Sequence, residues 1–173
     1  MKNIFAISGS LRAGSSNHAI LRYLGGLMPA NINYNIYDGL ANIPAFDPGL
    51  DNNDPPAAVS DLRDKVAQAD AIIICTPEYA YGVPGALKNA LDWTVSSGSL
   101  SGKPTALITA STGGENVHEA MIKILGALDA KLAQETILLI PFVRTKIDAN
   151  GNIIDNETVE RLQNVLKSLL GSL

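Results

Sequence analysis

Four short, unbroken apolar runs constrain how this chain folds more than any other feature: Ile4 to Ile7, Ala71 to Cys75, Thr105 to Thr109 and Ile137 to Ile140. Continuous hydrophobicity over so few residues marks strands buried on both faces, the habit of parallel sheets. A fifth run, Ile32 to Asp38, alternates apolar and polar residues as an edge strand does. Between the runs the period lengthens to that of helices. Leu21, Leu24 and Met28 form one stripe, Val59, Leu62, Val66 and Ala69 a second, and Val117, Met121, Ile124, Leu125 and Leu128 a third. Asp54 before Pro55 reads as an N-cap with proline at the first helical position, and Pro84 opens "PGALKNALDW" in the same way. A last helix carries Val159, Leu162, Leu166 and Leu169 on one face. Strand and helix alternate five times, which predicts an α/β fold with a five-stranded parallel sheet covered by helices on both faces. Right-handed crossovers favour the strand order 2-1-3-4-5.

The 173 residues suffice for one domain, 1–173, with a core of its own. A formal charge of -4 gives no broad basic field, so neither nucleic acid nor a membrane is an expected partner. Any bound anion must be held locally. No apolar run approaches the roughly 20 residues needed to span a bilayer. Cys75 is the only cysteine, and no leader-like segment precedes the first strand, so a cytoplasmic location is expected. The stretch Gly39 to Pro56 is too long for an ordinary strand-to-helix link, and reads equally as a turn-rich surface loop or as a lid or subunit contact. "ANGN", Ala149 to Asn152, signals a hairpin turn. Asp148, Asn150 and Asn152 have calcium-loop spacing, but Ile153 stands where that loop needs glycine, so the turn is preferred.

The chemistry concentrates in "SGSLRAGSSN", Ser8 to Asn17, directly after the first strand. A glycine-permitted turn that feeds a helix N-terminus presents unpaired N–H groups and partial positive charge, which together bind phosphate. Gly9 and Gly14 let the backbone curl closely, Ser10, Ser15, Ser16 and Asn17 offer neutral donors, and Arg12 adds one forked cation. The dinucleotide pattern GxGxxG fails, because Leu11 occupies the second glycine position. The triphosphate loop GxxxxGK[ST] matches through Gly9 and Gly14 and then fails at Ser15, where its lysine belongs. The loop thus reads as built to hold a phosphate and not to transfer one, with a flexible serine-rich turn and its N-cap as the alternative. In an open parallel sheet the loop after the third strand shares such a site. Here it reads "TPEYAYGVPGALKNALDW", Thr76 to Trp93, rich in aromatics and prolines that suit a flat ring. "ASTGGEN", Ala110 to Asn116, follows the fourth strand with further small residues.

"GSLRAGSSN" and "PEYAYGVPGALKNALDW" resemble the phosphate loop and the flavin-loop signature of the NADPH-dependent FMN reductase family, flavodoxin-like flavoproteins that include quinone, azo-dye and chromate reductases. The resemblance runs over nearly the whole chain in element order. It implies a flavodoxin-like fold with Ser10, Arg12, Ser15, Ser16 and Asn17 holding the phosphate of FMN. Pro77, Glu78, Tyr79, Ala80 and Tyr81 would border the isoalloxazine, and Ser111, Thr112 and Gly113 would close its other side. It implies NADPH or NADH as electron donor, and a small-molecule acceptor (quinone, azo compound, chromate or flavin). Donor and acceptor would use one ring face in turn, a ping-pong scheme, in a homodimer or homotetramer. No catalytic side chain and no metal are implied. Two positions depart from the pattern: Ala80 and Gly82 stand where many members carry Asn and Ser.

Two other classes remain open at this stage, a flavodoxin-type electron carrier and a non-redox protein that binds a phosphorylated ligand. Glu78 reads as a structural carboxylate that fixes its loop or reaches a neighbouring subunit, and Cys75 as a buried core thiol. His18 and His118 have no partners at ligand spacing. Lys88 and Asp92 are set to pair at i, i+4. Trp93 reads as a ring border or as a subunit anchor, and Tyr81 as the residue to meet substrate.

Overall fold

A computed structural model describes residues Met1–Leu173. The five runs become the strands of a parallel sheet: β1 (Lys2–Ser8), β2 (Ile32–Tyr37), β3 (Ala71–Thr76), β4 (Pro104–Ala110) and β5 (Lys131–Ile140). Their order is β2-β1-β3-β4-β5, all pairs parallel. Five helices connect and cover them: α1 (Ser16–Gly26), α2 (Ala57–Gln68), α3 (Gly85–Asp92), α4 (Glu115–Ala127) and α5 (Asn156–Gly171).

Alternate residues of each buried strand point to opposite faces, so the sheet divides the core into two layers. Phe5, Ile7, Ile72, Ile74 and Leu107 meet α2, α3 and α4 on one side. Ile4, Ala6, Ile73, Cys75 and Ile108 meet α1 and α5 on the other. The periodic stripes are the buried faces of these helices: Leu62 and Val66 of α2, Met121 and Leu125 of α4, and Leu162, Leu166 and Leu169 of α5 are all within 5% of full burial. No helix is long and apolar enough to cross a membrane.

Three boundaries differ from the sequence expectation. Asp54 does not cap α2, which begins at Ala57 after Pro56. The reason is Pro56 itself, since a residue before proline is driven out of the helical region and Pro55 therefore cannot start the helix. For α3, likewise, Pro84 is the cap (φ -50°, ψ 129°) and Gly85 the first helical residue. β5 runs from Lys131, six residues before its apolar run, because the polar segment "KLAQET" pairs with β4 across an irregularity in register between Thr105 and Leu107. Thr136 fills that irregularity, its hydroxyl donating to Thr105 O at 3.0 Å or Ala133 O at 2.8 Å. The "ANGN" segment does turn the chain, between bridged Ile147 and Ile153, but with positive φ only at Gly151. The Asp148 carboxylate drives the turn by accepting from the N–H groups of Asn150 and Asn152 at 2.9 and 2.8 Å.

The stretch Gly39 to Pro56 is pinned along its length. The indole Nε1–H of Trp93 donates to Pro44 O at 2.8 Å, and Asn89 donates to Pro44 O at 2.9 Å while accepting from Phe46 N at 2.7 Å. Phe46 meets Trp93 edge-on, with ring centroids 5.0 Å apart. Arg63 pairs with Asp51 at 2.7 Å, donates to Trp93 O at 2.8 Å, and sits over the indole. Trp93 is fully buried. It therefore neither borders the cleft nor stands on a free surface as a subunit anchor; its helix face turns inward to clamp this loop.

Candidate functional site

The carboxyl ends of β1, β3, β4 and β5 converge on one open cavity of about 370 Å³. Its first wall is the turn between β1 and α1. Gly9 is required there by close approach: a Cβ on it would lie 2.6 Å from Thr76 Oγ1 and 3.1 Å from Leu87 Cδ2. Gly14 serves differently, with φ +67° in the left-handed region. The chain then enters α1 through Ser15, whose Oγ accepts from His18 N at 3.2 Å as an N-cap. That bond satisfies one amide of the first turn. The N–H groups of Ser16 and Asn17 have no acceptor within the protein, and the helix dipole adds partial positive charge at the same point.

The side chains at this wall divide their work. Ser10 is buried, its Oγ accepting from Arg12 N at 3.3 Å and lying 3.3 Å from the Tyr79 hydroxyl. Asn17 turns its side chain inward: Oδ1 accepts from Cys75 Sγ at 3.2 Å, and Nδ2 donates to Ala110 O at 3.4 Å. The backbone N–H of Asn17 and the second N–H of its Nδ2 remain for a ligand. Cys75 is fully buried, and that burial raises its thiol pKa, so it is a core hydrogen-bond donor. Burial, and secondarily Arg22, holds His18 below its usual pKa of 6.5.

The loops after β3 and β4 form the opposite wall and are tied together. Glu78 N donates to Ser111 Oγ at 3.2 Å, and Glu78 Oε2 accepts from Val117 N at 3.0 Å in the first turn of α4. The N-cap of α4 is Gly114, which has no side chain to offer. Glu78 thus supplies the missing cap from another loop, which is the loop-fixing role among the two structural roles open to it. Tyr79 and Gly82 exchange both backbone bonds, at 3.0 and 2.9 Å, in a two-residue hairpin whose tip is Ala80 and Tyr81. Both tip residues have positive φ, 49° and 60°, the geometry of a type I′ turn, where Asn or Gly fits best. Ala80 thus departs from the family's Asn at a position where that residue matches the backbone.

Of the sequence-identified residues, Ser10, Arg12, Ser15, Ser16, Asn17, Pro77, Glu78, Tyr79, Ser111 and Thr112 line the cavity. Ala80, Tyr81 and Gly113 do not. Tyr81 stands 79% exposed at the hairpin tip, because the turn swings it out of the wall. Ala110 enters as the first residue of the loop singled out after β4, whereas two lining residues, Val143 and Arg144, were not anticipated. Val143 and Arg144 follow β5, and the rule that ligands gather at the carboxyl ends of parallel strands, extended one strand further, would have found them.

Comparison with known proteins follows the same lines. The family described as NADPH-dependent FMN reductase matches residues 2–144. A quinone reductase of Escherichia coli (strain K12) is 35% identical over 166 residues, covering 92% of this chain and 88% of its own. An NAD(P)H-dependent FMN reductase of Pseudomonas aeruginosa is 33% identical over 171 residues, covering 96% and 92%. Among solved structures, the flavoenzyme NAD(P)H:(acceptor) oxidoreductase FerB from Paracoccus denitrificans superimposes with a TM-score of 0.78 at 24% identity, covering 99% of this chain and 96% of its own. Sheet order, cradle, tied loops and these matches agree, and the chain belongs to the family of NADPH-dependent FMN reductases.

Proposed function

We propose that this protein holds FMN across the cavity and uses it to reduce small quinones with electrons from NADPH or NADH. The observation that carries the reading is the pair of N–H groups without acceptors at Ser16 and Asn17, beside Arg12, an arginine with no carboxylate partner. The residues fit the group. A phosphate monoester accepts from helix-terminal amides and from a guanidinium fork, and the far wall offers Pro77, Tyr79 and small side chains to a flat ring. When bound, flavin supplies a two-electron relay between nicotinamide and acceptor.

The protein's own part is binding and order. Ser15, Ser16, Asn17 and Arg12 hold the phosphate. The Glu78–Ser111 and Glu78–Val117 bonds lock the two ring-side loops to each other and to α4, so that the wall is formed before ligand arrives. Glu78 is the only carboxylate on the cavity wall, and its Oε2 is committed to Val117. The reading therefore assigns no general acid to the chain. The open side of the cavity admits donor and acceptor in turn, which makes the kinetics ping-pong. Azo compounds, chromate and free flavin are further acceptors of the same two-electron class. The protein acts as a single-domain subunit of a homodimer or homotetramer in the cytosol, where an unpaired thiol such as Cys75 stays reduced.

The test is anaerobic titration of the FMN-reconstituted protein. NADPH or NADH should bleach the flavin absorbance, and benzoquinone should restore it. A protein that takes up no FMN, or whose bound FMN ignores both nucleotides, overturns the proposal. Intersecting double-reciprocal lines would remove the ping-pong element, and a single-chain mass by light scattering would remove the oligomer.

A further inference from the structure

We propose that Arg144 is a second phosphate-binding residue of the cavity, so that the phosphate of the mononucleotide is gripped by two guanidinium groups, Arg12 and Arg144. The inference rests on the FMN reading and adds a residue that lies outside both sequence motifs. Of the chain's five arginines, Arg63 and Arg161 pair with Asp51 and Glu157. Arg12, Arg22 and Arg144 have no carboxylate partner, and two of these three line the same cavity. Two uncompensated cations on one cleft repel each other unless an anion lies between them. A phosphate monoester carries about -1.5 to -2 charges at pH 7. One guanidinium leaves about a half to one charge unmatched, and the second offsets it.

Arg144 is held toward this end of the cavity by its backbone. Phe142 adopts φ +53°, reversing the chain after β5. Phe142 N then donates to Thr112 O and Val143 N to Ser111 O, each at 3.0 Å. The neighbouring Ala110 carbonyl accepts from the Asn17 side chain at 3.4 Å. Val143 itself is buried in the apolar layer shared with Ile20 and Leu21 of α1. Short contacts thus lead from Arg144 through the end of β4 to the first turn of α1, where the free N–H groups lie.

The experiment measures FMN and riboflavin binding to apoprotein by flavin fluorescence, for wild type, Arg144→Gln, Arg144→Lys and, as control, Arg161→Gln. Losing one charge-assisted bond should weaken FMN binding roughly 10- to 100-fold in Arg144→Gln. Riboflavin, which lacks the phosphate, should bind as before, the salt dependence of FMN binding should flatten, and Arg144→Lys should recover part of the loss. Unchanged FMN affinity overturns the inference. So do equal losses for FMN and riboflavin, which would make Arg144 a packing or ring contact. Unchanged FMN affinity with a raised KM for NADPH would also overturn it, assigning Arg144 to the phosphates of the electron donor. Wild type that binds no FMN at all would instead show that the parent reading had failed.

Discussion

Replacing Glu78 separates a carboxylate that holds the site together from one that reacts in it. Its Oε2 accepts from Val117 N at 3.0 Å, at the start of a helix whose cap residue is glycine. A hydrogen bond to a charged group contributes about 1.5–3 kcal/mol, and a negative charge at a helix N-terminus about 0.3–1 kcal/mol more. Glutamine keeps an acceptor and loses the charge, so Glu78→Gln should cost about 1 kcal/mol. Glu78→Ala leaves the N–H of Val117, a fully buried residue, without its acceptor and should cost about 2–3 kcal/mol. At roughly 2–4 °C per kcal/mol for a chain of this size, the apoprotein should melt about 2–4 °C lower in the first case and about 4–12 °C lower in the second. A lost general acid, by contrast, slows turnover about 100- to 10,000-fold. Calorimetric melting of apoprotein, beside NADPH–benzoquinone turnover with FMN in excess, measures both quantities. The expected pattern is reduced stability with kcat nearly intact in Glu78→Gln. A hundredfold fall in kcat with an unchanged melting temperature would refute the tether and make Glu78 a participant in the chemistry.

Other consequences follow from the same geometry. Left-handed backbone costs an L residue about 1–2 kcal/mol and asparagine less, so Ala80→Asn should stabilise the fold by about 0.5–1 kcal/mol; a lower denaturation midpoint would contradict the hairpin geometry. Trp93→Phe breaks the indole bond to Pro44 O and should cost about 1–3 kcal/mol, with faster proteolysis between residues 45 and 54. Unaltered cleavage there would mean that Asn89 and Arg63 hold the loop without the indole. Acid should destabilise the protein in two stages. Burial is the main cause that holds both histidines below 6.5; Arg22 adds to it at His18, and Glu119 opposes it at His118. The unfolded chain therefore binds protons first, and stability falls as pH drops below about 6.5. Hydrogen bonds hold Asp51, Asp70, Asp148 and Asp155 below 3.8. Their contribution is present above that value and is lost as pH falls through their folded pKa values. Melting temperatures that stay level from pH 8 to pH 3 would contradict both assignments.

β3 was legible because Ile72, Ile73 and Ile74 are apolar on both faces, and each helix stripe because its period is set by the helix itself. "KLAQET" was not legible as strand, since an edge strand with solvent on its flank needs no apolar run. Pro56 overrode the capping signal at Asp54 through a steric clash that a pattern of caps does not contain.

At the site the division is sharper. A turn with two glycines, a serine cap and a helix start creates free amides wherever it occurs, so the pair of open N–H groups was written into ten consecutive residues. Membership of the cavity obeyed a different rule. Arg144 joins it because β5 lies beside β4, Tyr81 leaves it because a two-residue hairpin turns its side chain outward, and Trp93 is drawn into the core by a loop some fifty positions earlier. Conformational preferences act over a few neighbouring residues and can be read in order along the chain. Which side chains share a cleft depends on the adjacency of strand ends and on burial, and these exist only once distant segments have packed.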